Sequence, residues 1–178
     1  VVLPLCPWNR VSAFRPKRTH KFGAPRYLVS LGAFQFKLTQ HMSRASTAFE
    51  GSIEDAMALL QHFDNIHKQF PESAEVLKRA GLVMALTAWE TYVEDRILEA
   101  VQSRLRAING SHIGKFVTSK LAEELKRFHN PTSDKTKKLF HDYLEVDVTA
   151  GWKWLNFDPI LARKTLDELI SKRGDAVH

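Results

Sequence analysis

From residue 42 onward the apolar side chains recur at the period of an α-helix. Ile53, Ala56, Met57, Leu60, Phe63, Ile66 and Phe70 fall three or four residues apart for most of their length and so line one helical face. Ser52, followed three residues later by Asp55, resembles a capping box and predicts where this helix starts. Pro71 ends it and suits the first position of the next. That second helix is predicted over 72–108, the longest of the chain, with Asn109-Gly110 as its stop signal. A third is predicted over about 112–128, ending near Asn130-Pro131, because the residue before a proline is pushed out of the helical region. Ser133 or Asp134 can cap a fourth, whose Leu139, Phe140, Tyr143 and Leu144 form an apolar stripe. Residues 146–157, with Gly151-Trp152-Lys153-Trp154, read as a connection. Asp158-Pro159 then makes an N-cap and N1 pair for a last helix from Ile160 to Arg173. No strand alternation, repeat or low-complexity tract competes with this pattern. The predicted fold class is all-α, an antiparallel helical bundle.

Residues 1–41 lack the helical period and differ in composition. They carry prolines at 4, 7, 16 and 25, the chain's one cysteine, Cys6, and seven Lys or Arg with no Asp or Glu. The formal charge of +6 is therefore theirs: residues 42–178 hold 19 basic against 20 acidic side chains, a net of −1. A basic chain thus says little about the partners of the helical part. The chain divides into a basic, proline-containing extension, 1–41, outside the domain, and a helical domain, 42–178. Three accounts of the extension stay open: upstream sequence read from a wrongly chosen start, an acid-poor targeting segment, or a basic arm that touches nucleic acid. Without cysteine, residues 42–178 can hold neither disulfides nor thiolate metal sites, which suits the cytoplasm. No apolar run approaches the length of a membrane span, so no membrane partner is expected.

Helical geometry makes a few polar residues stand out. At 100° per residue, Val76, Ala80, Val83, Ile97, Val101 and Leu105 of the second helix share a stripe, and Glu90 and Glu94 fall on it too. Carboxylates there need partners. In the last helix Leu161, Ala162, Thr165, Leu166, Leu169 and Ile170 form the apolar face, with Arg173 in the middle of it. A guanidinium at a core edge seeks a carboxylate or a phosphate, so Arg173 is expected to pair with Glu90 or Glu94. Five residues on stands His178, in Arg173-Gly174-Asp175-Ala176-Val177-His178. An arginine and a histidine together suffice to cut RNA without a metal, one stabilising phosphate charge and the other moving a proton. A separation of five turns His178 about 140° away from Arg173 on a straight helix. Two routes could bring them together: Gly174 ends the helix and Asp175 caps a new turn, or two copies of the motif face each other across a twofold axis.

The segment Leu125–His178, with its Pro-Thr/Ser turn, Lys137-Lys138-Leu139-Phe140, aromatic connection and leucine-rich helix running into Arg and His, resembles the HEPN superfamily, more narrowly its RiboL-PSP-type branch. Ala88-Trp89-Glu90-Thr91-Tyr92 is similar to the alanine, aromatic and glutamate cluster of that branch's long helix, and the resemblance covers roughly residues 70–178. It implies a dimeric helical bundle acting as a metal-independent endoribonuclease in toxin–antitoxin, antiviral or RNA-repair settings. Arg173 and His178 match the family's paired catalytic residues; Glu90, Glu94 and Asp175 would support them. Gly174 departs from the polar residue that usually follows the Arg, with Asp175 one position late. Relatives continue past the His with a further helix, so the bundle is expected to lack its last helix. The implied partners are an RNA substrate, a second copy completing a composite site, and a cognate antitoxin. The alternative is a non-catalytic helical module that binds RNA or protein through the same dimeric surface.

The remaining candidates read as structural. His62, His67, His112, His129 and His141 lack metal-ligand spacing, and no metal or cofactor is expected. Lys126, Arg127, Lys135, Lys137 and Lys138 read as solvated helix faces ahead of an RNA-backbone contact. Trp152 and Trp154 read as anchors of their connection ahead of base-stacking platforms.

Overall fold

The computed structural model of the chain describes residues 43–154 and 156–177. Their order is α1 (Arg44–Ile66), α2 (Pro71–Arg104), α3 (His112–Leu125), α4 (Ser133–Leu144), a 3-10 turn (Val148–Gly151) and α5 (Pro159–Val177). The helical bundle is the predicted one, with α2 in contact with all four other helices. The predicted extension, 1–41, lies outside the described residues.

Helix α1 begins eight residues before the expected capping box. Its cap is Ser43, whose hydroxyl accepts from the Ser46 N–H at 3.1 Å, while Glu99 of α2 takes the Ala45 N–H at 3.0 Å. Ser52 sits in the helix interior and its hydroxyl donates back to the Ala48 carbonyl. The capping-box reading failed because Ala45 and Phe49 already continue the buried row of Ile53 and Ala56. The far end of that row loses its cover, and Leu60 and Phe70 are exposed. Pro71 is the first residue of α2, as expected. Gly81 lets α2 lie close to α1: a Cβ there would stand 3.4 Å from the Ala56 carbonyl oxygen.

Helix α2, 34 residues and about 50 Å long, does not bury one continuous stripe. Val76 and Ala80 of the predicted stripe are exposed, whereas Ala74, Gly81, Leu86, Ala88, Trp89, Val93, Ile97 and Val101 are buried. Helix α1 runs along α2 as far as Glu99, and the later segments join it at Trp89, Glu90 and Arg104, so the second half is covered from more sides than the first. The helix stops at Arg104 instead of 108. Tight turns follow, and Gly114 sits where a Cβ would come within 2.3 Å of the Ile108 carbonyl oxygen.

Thr132, and not Ser133 or Asp134, caps α4, accepting from the Lys135 N–H. Ser133 has another partner: its N–H and its hydroxyl both donate to the Asp167 carboxylate of α5, each at 2.7 Å. Helix α5 opens on Asp158, which accepts from the Ile160 and Leu161 N–H groups at 2.8 Å, as the Asp-Pro pair predicts. Trp152 anchors the connection, buried edge-on against Trp89 at 5.6 Å, and Trp154 stacks on Phe157. The expected helix end at Gly174 does not form. The backbone stays helical through Val177, and no glycine among the described residues has a positive φ.

Candidate functional site

The Trp89 indole N–H donates to the Pro131 carbonyl at 3.1 Å inside the core, which pins the turn between α3 and α4 against the middle of α2. Phe128 and Pro131 are buried on either side of His129 and Asn130, so those two residues are held at the surface. Asn130 has φ 51°, a left-handed conformation that asparagine tolerates better than most side chains. Its N–H points to Glu90 Oε2 at 3.3 Å, and His129 Nδ1 lies 3.4 Å from Glu90 Oε1. Lys135 closes the turn from α4, donating to the His129 carbonyl at 2.7 Å.

Arg173 reaches the same carboxylate from α5. It follows Leu166, Leu169 and Ile170 by helical turns, and their packing carries it to the edge of the core. There its Nη1 donates to Glu90 Oε2 at 3.3 Å, with side-chain exposures of 24% for Arg173 and 18% for Glu90. Glu90 thus gathers a guanidinium from α5 and an imidazole and a backbone N–H from the turn between α3 and α4, two segments distant from it in sequence. One of the five guanidinium donors is used in the Arg173 bond. Glu94 stands one turn along α2. Burial, then the nearby Glu90 and Asp95 charges, push its carboxyl above the ordinary range, and His129 pulls it back.

The sequence-predicted residues fare differently. Arg173 and Glu90 meet directly, and Glu94 joins them electrostatically without a direct bond to Arg173. His178 lies outside the described residues, as does the side chain of Asp175. The backbone stays helical at Gly174, which is not the helix end that one of the two routes needs, because glycine tolerates a helix interior when nothing forces it into a left-handed conformation. His129 was missed as a site residue: its neighbour Pro131 signals a turn, but no local pattern shows that the turn docks beside a glutamate 39 positions earlier.

Other features lie apart from this cluster. Lys137 pairs with Asp147 at 2.8 Å and Lys138 with Asp142, which leaves the basic face of α4 largely neutralised by its own neighbours. An apolar cavity of about 700 Å³ between α1 and α2, lined among others by Ala48, Phe49, Val76, Ala80 and Tyr92, includes neither Arg173 nor Glu90. Among the described residues no group of three His, Cys, Asp or Glu is placed to hold a metal ion, and no helix is long and apolar enough to cross a membrane.

Compared with known proteins, residues 51–178 match the sequence model of a family described as RiboL-PSP-HEPN. No curated protein and no solved structure matches the chain.

Proposed function

The chain belongs to the RiboL-PSP-HEPN family, and from that membership and the Arg173–Glu90 cluster we propose that it is a metal-independent endoribonuclease. The observation that carries the reading is Arg173, a guanidinium on an otherwise apolar helical face, held by one carboxylate at the surface with a histidine on the other oxygen of that carboxylate. Arg173 would stabilise the charge that grows on the phosphoryl oxygens as the substrate's own 2′-hydroxyl attacks phosphorus. His178 would transfer a proton in the same step, as base on the 2′-hydroxyl or as acid on the leaving 5′-oxygen. The products are a 2′,3′-cyclic phosphate and a 5′-hydroxyl. Neutral and protonated imidazole coexist near pH 7, so the chemistry needs no metal.

A homodimer fits this reading. In a composite site two copies of the motif would face each other and bring Arg173 and His178 to one phosphate. HEPN domains often dimerise and bind RNA; a toxin, defence or RNA-repair role, with a cognate antitoxin, belongs to the same proposal. Cleavage of RNA in EDTA tests it. Cutting should persist in the chelator and fail when the nucleotide 5′ to the cut lacks its 2′-hydroxyl; strict magnesium dependence would falsify the mechanism.

A second reading, a non-catalytic module for RNA or protein, is favoured by the Arg173–Glu90 bond taken as a structural tie. It predicts a folded dimer that binds RNA or a protein partner and cuts nothing.

A further inference from the structure

Three observations meet at His129. Its imidazole is 71% exposed, yet its backbone is fixed by the buried Phe128 and Pro131, the Asn130 N–H bond to Glu90 and the Lys135 bond to its own carbonyl. Its Nδ1 faces Glu90 Oε1, the carboxylate that also holds Arg173. Its surroundings pair Glu90 and Glu94 of α2 against Arg173 of α5 and Lys135 of α4.

A carboxylate can only accept, so the hydrogen of a neutral His129 ring sits on Nδ1 and the lone pair on Nε2. The carboxylate fixes the tautomer and orients the ring, leaving Nε2 as the atom that can take a proton. The exposed ring and the Arg173 guanidinium share one carboxylate, that of Glu90.

We propose that His129 is the general base of the reaction, an inference that rests on the ribonuclease reading above. In the step, His129 Nε2 takes the proton of the 2′-hydroxyl and the 2′-oxygen forms its bond to phosphorus. The bond from phosphorus to the 5′-oxygen breaks with its electron pair, and that oxygen takes a proton from His178 acting as the acid. Glu90 is the positioning residue for both His129 and Arg173.

The test compares the full chain, His129→Ala and His178→Ala on two RNAs that differ at one atom. In one the leaving 5′-oxygen is natural. In the other it is sulfur, which departs as a thiolate without a proton because thiols are far stronger acids than alcohols. His129→Ala should lose about 100-fold or more in kcat with KM little changed. The deficit should persist on the sulfur substrate and recover with added imidazole. His178→Ala should be slow on the oxygen substrate and restored on the sulfur one. Parental kcat in His129→Ala overturns the proposal, as does a deficit confined to KM or one that sulfur removes. If the parent cuts neither RNA, the ribonuclease reading falls and this role with it; if the parent and His129→Ala cut alike, only this role falls. The exposed ring makes a folding defect a poor explanation, and an unchanged melting temperature and imidazole rescue guard against it.

Discussion

Asp167→Ala should destabilise the protein more than any other single surface change in α5. Its carboxylate accepts from both the N–H and the hydroxyl of Ser133, at 2.7 Å each, and Ser133 is 3% exposed. The Ser133 N–H is among the first four of α4, which have no partner within the helix, so Asp167 serves as an anionic cap supplied by another helix. Hydrogen bonds to a charged acceptor contribute about 1.5–3 kcal/mol each, and a buried donor left unpaired costs about 1–3 kcal/mol. Asp167 is itself half-buried, so water replaces part of the loss and the lower ends apply. The expected cost is about 3 kcal/mol, or a fall of roughly 9 °C in Tm at about 3 °C per kcal/mol for a domain of this size. Asp167→Asn keeps one acceptor and should cost about 1 kcal/mol. Urea unfolding of Asp167→Ala, Ser133→Ala and the double variant gives the coupling, expected near 1 kcal/mol because Ser133→Ala removes only the hydroxyl. The cap also bears on the site. Arg173 lies six residues, about 9 Å, further along α5, so loosening α5 from α4 should weaken its hold on Glu90. An Asp167→Ala cost below about 0.5 kcal/mol, or additive behaviour in the double variant, would refute it.

Gly114→Ala should cost about 2 kcal/mol or more by thermal melting, because the added methyl meets the Ile108 carbonyl oxygen at 2.3 Å and backbone must move. Ser43→Ala should cost about 1 kcal/mol as the loss of a true cap, while Ser52→Ala, in the helix interior, should stay within about 0.5 kcal/mol; equal effects would restore the capping-box reading. Asp147, which burial pushes up but bonds from Lys137 and Thr149 hold down at about 2, contributes its full stabilisation above its ordinary value of 3.8 and loses it as the pH falls toward 2. Because Lys137 is substantially exposed, this is worth about 1 kcal/mol after screening, and acid titration of Asp147→Asn should show a correspondingly flatter loss of stability between pH 4 and 2.

Much of the bundle was legible because helices announce their ends in a single chain. Pro71 and the Asp158-Pro159 pair stand where the prolines and the capping carboxylate predict. Other ends were not legible, for reasons that lie in tertiary structure. Thr132 caps α4 because Ser133 is drawn to Asp167, 34 residues away, and α1 starts early because Glu99 of another helix covers its N-terminus. The α2 stripe misled since the later helices add to α1 along the second half of that helix, burying Trp89 and Val93 while Val76 stays exposed. At the site, the place of Arg173 on an apolar face pointed to a carboxylate partner, and Glu90 is that partner. His129 gave no such signal. A histidine in a turn carries no period, and only the Trp89–Pro131 bond brings it to Glu90.

The proposed activity is that the Arg173 cluster cuts RNA without a metal. A gel of total RNA and tRNA incubated in EDTA with the parent, Arg173→Ala and His178→Ala addresses it most directly. The parent should cut, with products ending in 2′,3′-cyclic phosphate, and both variants should lose at least about 100-fold. Intact RNA with all three proteins, each a folded dimer, would contradict it and leave Arg173 as a structural tie to Glu90.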